Sequence, residues 1–157
     1  MSLFSAKDVF EFAVRIEANG EKFYRDTAEK LSNPEIKKLF LFLADEEVRH
    51  KQTFEKLAAR MGSLQLPKQL DADYRAYLAA YSENLIFAQA DSAQKVAAIN
   101  DEKSALIYAL EKELDTIHYY REVKELIPAS EHGLIEKIID EERSHVVKLT
   151  EMKQNIA

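Results

Sequence analysis

Two short strings carry residues able to do chemistry together: Glu46-Glu47-Val48-Arg49-His50 and Glu141-Glu142-Arg143-Ser144-His145. The chain has only 4 histidines, and two of them stand three residues after a glutamate in near-identical surroundings. On a helix, residues three apart are neighbours, with about 5–6 Å between Cβ atoms. A carboxylate and an imidazole so placed can hold one metal ion together. Glu47 and His50 interrupt an apolar stripe of Leu39, Phe40, Leu43, Phe54 and Leu57. Glu142 and His145 interrupt another, built from Leu134, Ile135, Ile138, Ile139, Val146, Leu149 and Met152. Both pairs are therefore expected to point into a helical core.

Two further glutamates fall on apolar faces. Glu17 shares a face with Phe10, Ala13, Gly20 and Tyr24, and Glu111 lies between Ile107, Leu114 and His118. The interval from Glu17 to Glu47 is 30 residues and that from Glu111 to Glu142 is 31, as if one helix pair were used twice. Four buried carboxylates repel one another, and each costs several kcal/mol to bury unpaired. Two divalent cations would neutralise them. Oxygen and imidazole donors without sulfur suit iron or manganese and accept zinc.

The elements that must position these residues are four long helices. The first is expected from about Ser5 to Leu31, with Ser5 as cap, and the second from Pro34 to about Arg60. Asn33 caps the second, Pro34 suits its first position, and Gly62 is a stop. The third runs from about Asp101 to Leu126, before Pro128, and the fourth from near Ser130 almost to the C-terminus. Between the second and third, Tyr74, Tyr77, Leu78, Tyr81 and Leu85 recur at helical spacing. They predict a short amphipathic helix, followed by a second short piece over Ser92 to Ile99. Two short loops and one long crossover describe a four-helix bundle of the ferritin-like type.

Composition narrows the function classes. The 157 residues suffice for one domain with a real core, and 3 Gly and 3 Pro leave few turns. With no cysteine, thiolate metal sites, iron–sulfur clusters and cysteine nucleophiles are excluded. The formal charge of −6 and the lack of a basic block argue against nucleic acid. No apolar run approaches the ~20 residues of a membrane span, and early charges leave no signal-peptide core. A cytoplasmic location is the resulting expectation.

Glu17, Glu47–His50, Glu111 and Glu142–His145 resemble the ligand set of the ferritin-like di-iron carboxylate proteins. The strings IEANGEKFY, LADEEVRH and IIDEERSH resemble the rubrerythrin branch in particular. The likeness spans the chain and is weakest from about Ser63 to Ile99. It implies a single all-α, ferritin-like domain over residues 1–157 holding two iron ions. In that family's pattern Glu47 and Glu142 would bridge the metals. Glu17 and Glu111 would be terminal carboxylates, and His50 and His145 terminal imidazoles. The resemblance implies reduction of hydrogen peroxide or dioxygen. Rubrerythrins proper carry a cysteine-bound iron domain that delivers electrons, so a cysteine-free chain implies an external electron-donor protein. They also carry a glutamate three residues after the third-helix ligand; counted from Glu111, that position is Leu114. The remaining six-ligand set equally resembles bacterioferritin ferroxidase centres, so ferrous-iron oxidation or storage stands as the alternative. A third reading is a non-enzymatic bundle whose buried polar residues specify packing.

Around these residues, Tyr24 and His118 lie seven positions after Glu17 and Glu111 and are candidates to hydrogen-bond a ligand. Asp115, one turn from Glu111, is a candidate substitute for the absent glutamate. Tyr119 and Tyr120 are adjacent, so one of them is expected to face inward. Glu46 and Glu141 are expected to point away. Gly20 either leaves room for a small oxidant or permits close helix packing. The tyrosine-rich crossover helix either covers the bundle or forms a homodimer contact, and a homodimer is the expectation.

Overall fold

A computed structural model describes residues 6–61, 63, 66, 72–86, 94 and 96–156. Helix α1 spans Ala6–Lys30, α2 Pro34–Met61, α3 Ala72–Ile86, α4 Glu102–Leu126 and α5 His132–Asn155, the last preceded by a 3-10 turn at Ala129–Glu131. No strand occurs among the described residues. The caps follow local chemistry. Asn33 Oδ1 accepts from the Glu35 and Ile36 amides at 3.0 and 3.3 Å, satisfying donors that the first helical turn leaves free. Asp101 does the same for α4, accepting from Ser104 N at 2.8 Å. The expected cap at Ser5 and the expected stop at Gly62 lie outside the described residues. So does most of the Ser92–Ile99 piece, where one turn is marked by Ala98 N donating to Gln94 O at 3.0 Å.

Helices α1, α2, α4 and α5 form the bundle, and α3 in the crossover lies against it. Leu78 of α3 is fully buried and joins a core with Val9, Phe10, Phe54, Tyr119, Tyr120 and Ile139. A second core gathers Phe23, Tyr24, Ile36, Phe40, Leu43, Leu106 and Leu149. Along α1, α2 and α5 the two cores are separated by the polar residues singled out above. Burying more than a dozen apolar residues on either side is what can hold charged groups out of water. Leu134, assigned to the apolar stripe of α5, is instead 37% exposed at the start of that helix. No helix among the described residues is long and apolar enough to cross a membrane.

Candidate metal centre

Glu17 on α1, Glu47 and His50 on α2, and Glu142 and His145 on α5 are all buried and converge between the two cores. The third-helix contribution differs from expectation. Glu111 is exposed on α4, and Glu113 is the buried glutamate, 3% exposed. Two residues along a helix is a rotation of about 200°, so the expected face was the outer one. Ile107, Leu114 and His118, which flank Glu111, are exposed as well. The buried face runs through Ala105, Leu106, Ala109, Glu113, Ile117 and Tyr120.

The cluster divides into two halves that share two carboxylates. Glu17, Glu47, His50 and Glu142 each offer one ligand atom, all within 4.8 Å of one another; Glu47, Glu113, Glu142 and His145 do likewise. Glu47 and Glu142 belong to both halves. His50 Nδ1 lies 3.0 Å from Glu142 and 3.6 Å from Glu17. His145 Nδ1 lies 2.8 Å from Glu142 and 3.5 Å from Glu113. The two imidazoles stand with ring centroids 5.9 Å apart.

Two phenols cross the site. Tyr24 donates to Glu113, and Tyr120 donates to Glu17. Each tyrosine thus braces the carboxylate of the opposite half. Tyr24 takes the expected role, on a carboxylate not anticipated. Tyr120 has the matching role, which sequence reasoning missed. The signal was present: Phe10, Ala13, Glu17 and Tyr24 recur at the same spacing as Leu106, Ala109, Glu113 and Tyr120. Both Tyr119 and Tyr120 are buried, because α4 is covered on two sides. Tyr120 faces the bundle, whereas Tyr119 meets Tyr81 of α3 and donates to Val9 O at 3.0 Å.

The backs of the imidazoles are also engaged, which corrects the expectation that Glu46 and Glu141 point away. His50 Nε2 lies 2.8 Å from Glu141. His145 Nε2 lies 3.9 Å from Glu46. A proton held on Nε2 by the outer carboxylate leaves Nδ1 free to face the cluster as a ligand. His118 and Asp115 do not reach the cluster. His118 is exposed, with Nε2 3.1 Å from the Tyr77 hydroxyl, and Asp115 contributes only its backbone carbonyl, which accepts from Tyr81 at 2.9 Å.

Gly20 has a use other than the two expected. A Cβ built there would lie 3.0 Å from Glu47 Cδ and 3.1 Å from its Oε2. The missing side chain is the space in which the shared carboxylate sits. At the surface, a cleft lined by Arg49, His50, Thr53, Lys137, Ile138 and Glu141 opens beside His50.

Electrostatics shows how strongly the crowded carboxylates draw positive charge. Burial, and then the charges of Glu17 and Glu142, push Glu47 well above the usual carboxylate range. Burial and the Glu142 charge raise Glu113 to about 8. Burial lowers the affinity of His50 for a proton, but the carboxylates of Glu142 and Glu17 facing it outweigh burial and lift the pKa to about 11. His145 is lifted to about 9 against the same burial by Glu113 and Glu142. Glu142 goes the other way: burial is overcome by hydrogen bonds from both imidazoles, which hold it below its ordinary value. Protons are standing in for positive charge.

Three buried atoms inside the cluster, Glu17 Oε2, His50 Nδ1 and Glu142 Oε1, face one another, with His50 Nδ1 3.0 Å from Glu142 and 3.6 Å from Glu17, and none completes a well-oriented hydrogen bond. Buried polar atoms are rarely left so. Oxygen and nitrogen donors enclosed and facing one point fit a divalent cation.

The Rubrerythrin family model matches residues 8–153. This chain belongs to the rubrerythrin family. Rubrerythrin membership agrees with the structural comparison. A crystallised Thermotoga maritima protein designated as ferritin-like and diiron-carboxylate is 30% identical, with a TM-score of 0.70 over 100% of this chain and 99% of that one. No curated protein gave a significant match. The six converging residues are those expected of such a site once Glu113 replaces Glu111. Counted from Glu113, the position three residues on is Thr116, so the extra glutamate of rubrerythrins proper is absent in the corrected register too.

Proposed function

We propose that this rubrerythrin-family protein is a non-haem di-iron oxidoreductase that reduces hydrogen peroxide or dioxygen with electrons from an external donor. Glu17, Glu47, His50 and Glu142 would hold one ion, and Glu47, Glu113, Glu142 and His145 the other. Iron bound there would supply two one-electron reducing equivalents and Lewis acidity toward an oxidant oxygen. The observation that carries the reading is the convergence of two buried four-residue groups of carboxylate and imidazole donors that share Glu47 and Glu142.

The chain's own residues set the conditions. Tyr24 and Tyr120 fix the carboxylates of Glu113 and Glu17 and supply each with a donor. Glu141 orients His50. The two apolar cores exclude bulk water, which strengthens every charge interaction within. The cleft beside His50 is the approach for a small oxidant in this reading, and Arg49 and Lys137 line it.

The test is to load the chain with ferrous iron and add peroxide anaerobically. Rapid oxidation of ferrous to ferric iron, two equivalents per peroxide, seen as a gain in near-ultraviolet absorption that a reductant reverses, is the expected result. Iron that oxidises no faster than free ferrous ion contradicts it. A ferroxidase reading draws on Thr116 standing where rubrerythrins proper have glutamate. It predicts that oxidised iron leaves the site and accumulates as mineral in a large assembly, which sedimentation would reveal.

A further inference from the structure

From Tyr120 the described residues continue outward in a file of three more tyrosines that the proposed function does not use. Tyr120, whose hydroxyl rests on Glu17, has its ring centroid 5.9 Å from that of Tyr119. Tyr119 stacks on Tyr81 of α3 at 6.0 Å, with ring planes 13° apart. Tyr81 stacks on Tyr77 at 5.9 Å. Tyr77 is 43% exposed. Each step is an aromatic contact, and the file runs from a carboxylate of the buried cluster to solvent without a break.

The hydroxyl partners differ along the file in a way that packing alone does not require. Tyr119 and Tyr81 donate to backbone carbonyls, those of Val9 and Asp115. A peptide carbonyl is too weak a base to take a phenolic proton. Tyr77, at the outer end, has its hydroxyl 3.1 Å from His118 Nε2. A neutral imidazole is a base of suitable strength. A phenol gives up an electron far more readily when its proton has somewhere to go. The middle positions are therefore places a vacancy passes through, and the outer end is where it can rest, on Tyr77 and on Tyr74, which stacks on it at 6.2 Å and donates to Glu122.

We propose that Tyr120, Tyr119, Tyr81 and Tyr77 form a conduit for single electrons between the buried cluster and the surface, with Tyr77 as the exchange point and His118 as its proton acceptor. The proposal rests on the di-iron reading, with hydrogen peroxide as the oxidant. In each transfer Tyr77 loses one electron, which passes inward along the rings, and its hydroxyl proton moves to His118 Nε2. Where the iron is already ferric and has no electron to give, two such transfers supply the two electrons that, with two protons from water, convert one peroxide to two waters. A soluble reductant of the thiol or ascorbate class then returns an electron to the Tyr77 radical, and His118 returns the proton. Tyr77 and His118 take over the meaning of the crossover helix: it covers the bundle and reaches the exterior.

The experiment is radical trapping, read by mass and not by turnover. Ferric-loaded full-length chain is mixed with one equivalent of peroxide and a nitroso spin trap, and adducts are mapped by peptide mass spectrometry. The expected result is an adduct on Tyr77 that falls at least tenfold in Tyr81→Phe, which keeps the ring but resists oxidation, at unchanged iron content. Equal labelling of Tyr77 in Tyr81→Phe, or no labelling of the four tyrosines in iron-replete chain, overturns the conduit while leaving the metal site standing. A chain that takes up no iron overturns the function proposed above and the conduit with it. A second arm needs no metal. Metal-free chain oxidised with photogenerated tris(bipyridine)ruthenium(III) is expected to be trapped at Tyr77, and several-fold less in His118→Gln; undiminished trapping overturns the role of His118.

Discussion

Replacing Gly20 with alanine separates folding from metal binding. In the middle of α1 an alanine is worth about 1 kcal/mol over glycine in helix propensity. The added Cβ, however, would stand 3.0 Å from Glu47 Cδ, 3.1 Å from its Oε2 and 3.3 Å from its Cγ. An ordinary carbon–carbon separation is roughly 3.5 Å or more, so the carboxylate must retreat by about 0.5 Å. Metal sites hold their ligand distances to within about 0.2 Å. Glu47 lies in both halves of the cluster, so both ions lose a well-placed oxygen. In the metal-free chain Glu47 can turn aside, and the propensity gain is retained. The expectation is a metal-free urea midpoint equal to or above that of the parent, corresponding to a change between zero and about +1 kcal/mol. Metal affinity should fall by about tenfold or more, the scale on which disturbing the support of a ligand acts. Isothermal titration with a divalent cation and parallel urea melts measure the two quantities. Undiminished affinity would refute the assignment of Gly20 as the seat of Glu47. A loss of several kcal/mol from the metal-free fold would show that close helix packing is its role.

Other outcomes follow from the same geometry. Tyr24→Phe and Tyr120→Phe each strip a donor from a buried carboxylate; each should cost about 1–3 kcal/mol in urea denaturation of the metal-free chain, and no loss would contradict the cross-bracing. The metal-free chain should weaken as pH rises from about 6 to 9. The stabilisation from His50 and His145 is complete below their unfolded value of 6.5 and is lost as pH climbs through about 9 and 11, while Glu113, raised to about 8, retains a proton that the unfolded chain sheds from 4.5 upward. Both effects have the same sign, so a urea midpoint that is flat or rises over this range would refute them. Over the same range metal affinity should increase, because the cation displaces those protons.

Much of the fold was legible because local signals agreed. Asn33 and Pro34, Asp101, and Pro128 marked helix ends, and the stripes of α1, α2 and α5 each have one clear apolar side. The site was legible on those three helices for the same reason: Glu17, Glu47, His50, Glu142 and His145 interrupt unambiguous stripes. Helix α4 was different. It is buried on two sides, by the bundle through Ala109, Glu113 and Tyr120 and by α3 through Tyr119. Its exposed side nevertheless carries Ile107 and Leu114. Apolar residues all round leave periodicity without a preferred face, and Glu111 was chosen on the strength of the two that face water. The small Ala105 and Ala109, which lie against the neighbouring helices, signal little by hydrophobicity alone. The internal repeat of Glu and Tyr seven residues apart was the stronger guide to Glu113. Contacts between helices, such as Glu141 on His50 and the crossed tyrosines, depend on how the helices are paired and have no signature within a single one.

The account stands on a pair of cations held by Glu17, Glu47, His50, Glu113, Glu142 and His145. Metal analysis of the purified chain after dialysis against ferrous iron, compared across Glu113→Gln and Glu111→Gln, tests it most directly. Two ions per parent chain are predicted, with Glu111→Gln unchanged and Glu113→Gln losing at least one. Less than one ion per parent chain, or a loss in Glu111→Gln with none in Glu113→Gln, would contradict it.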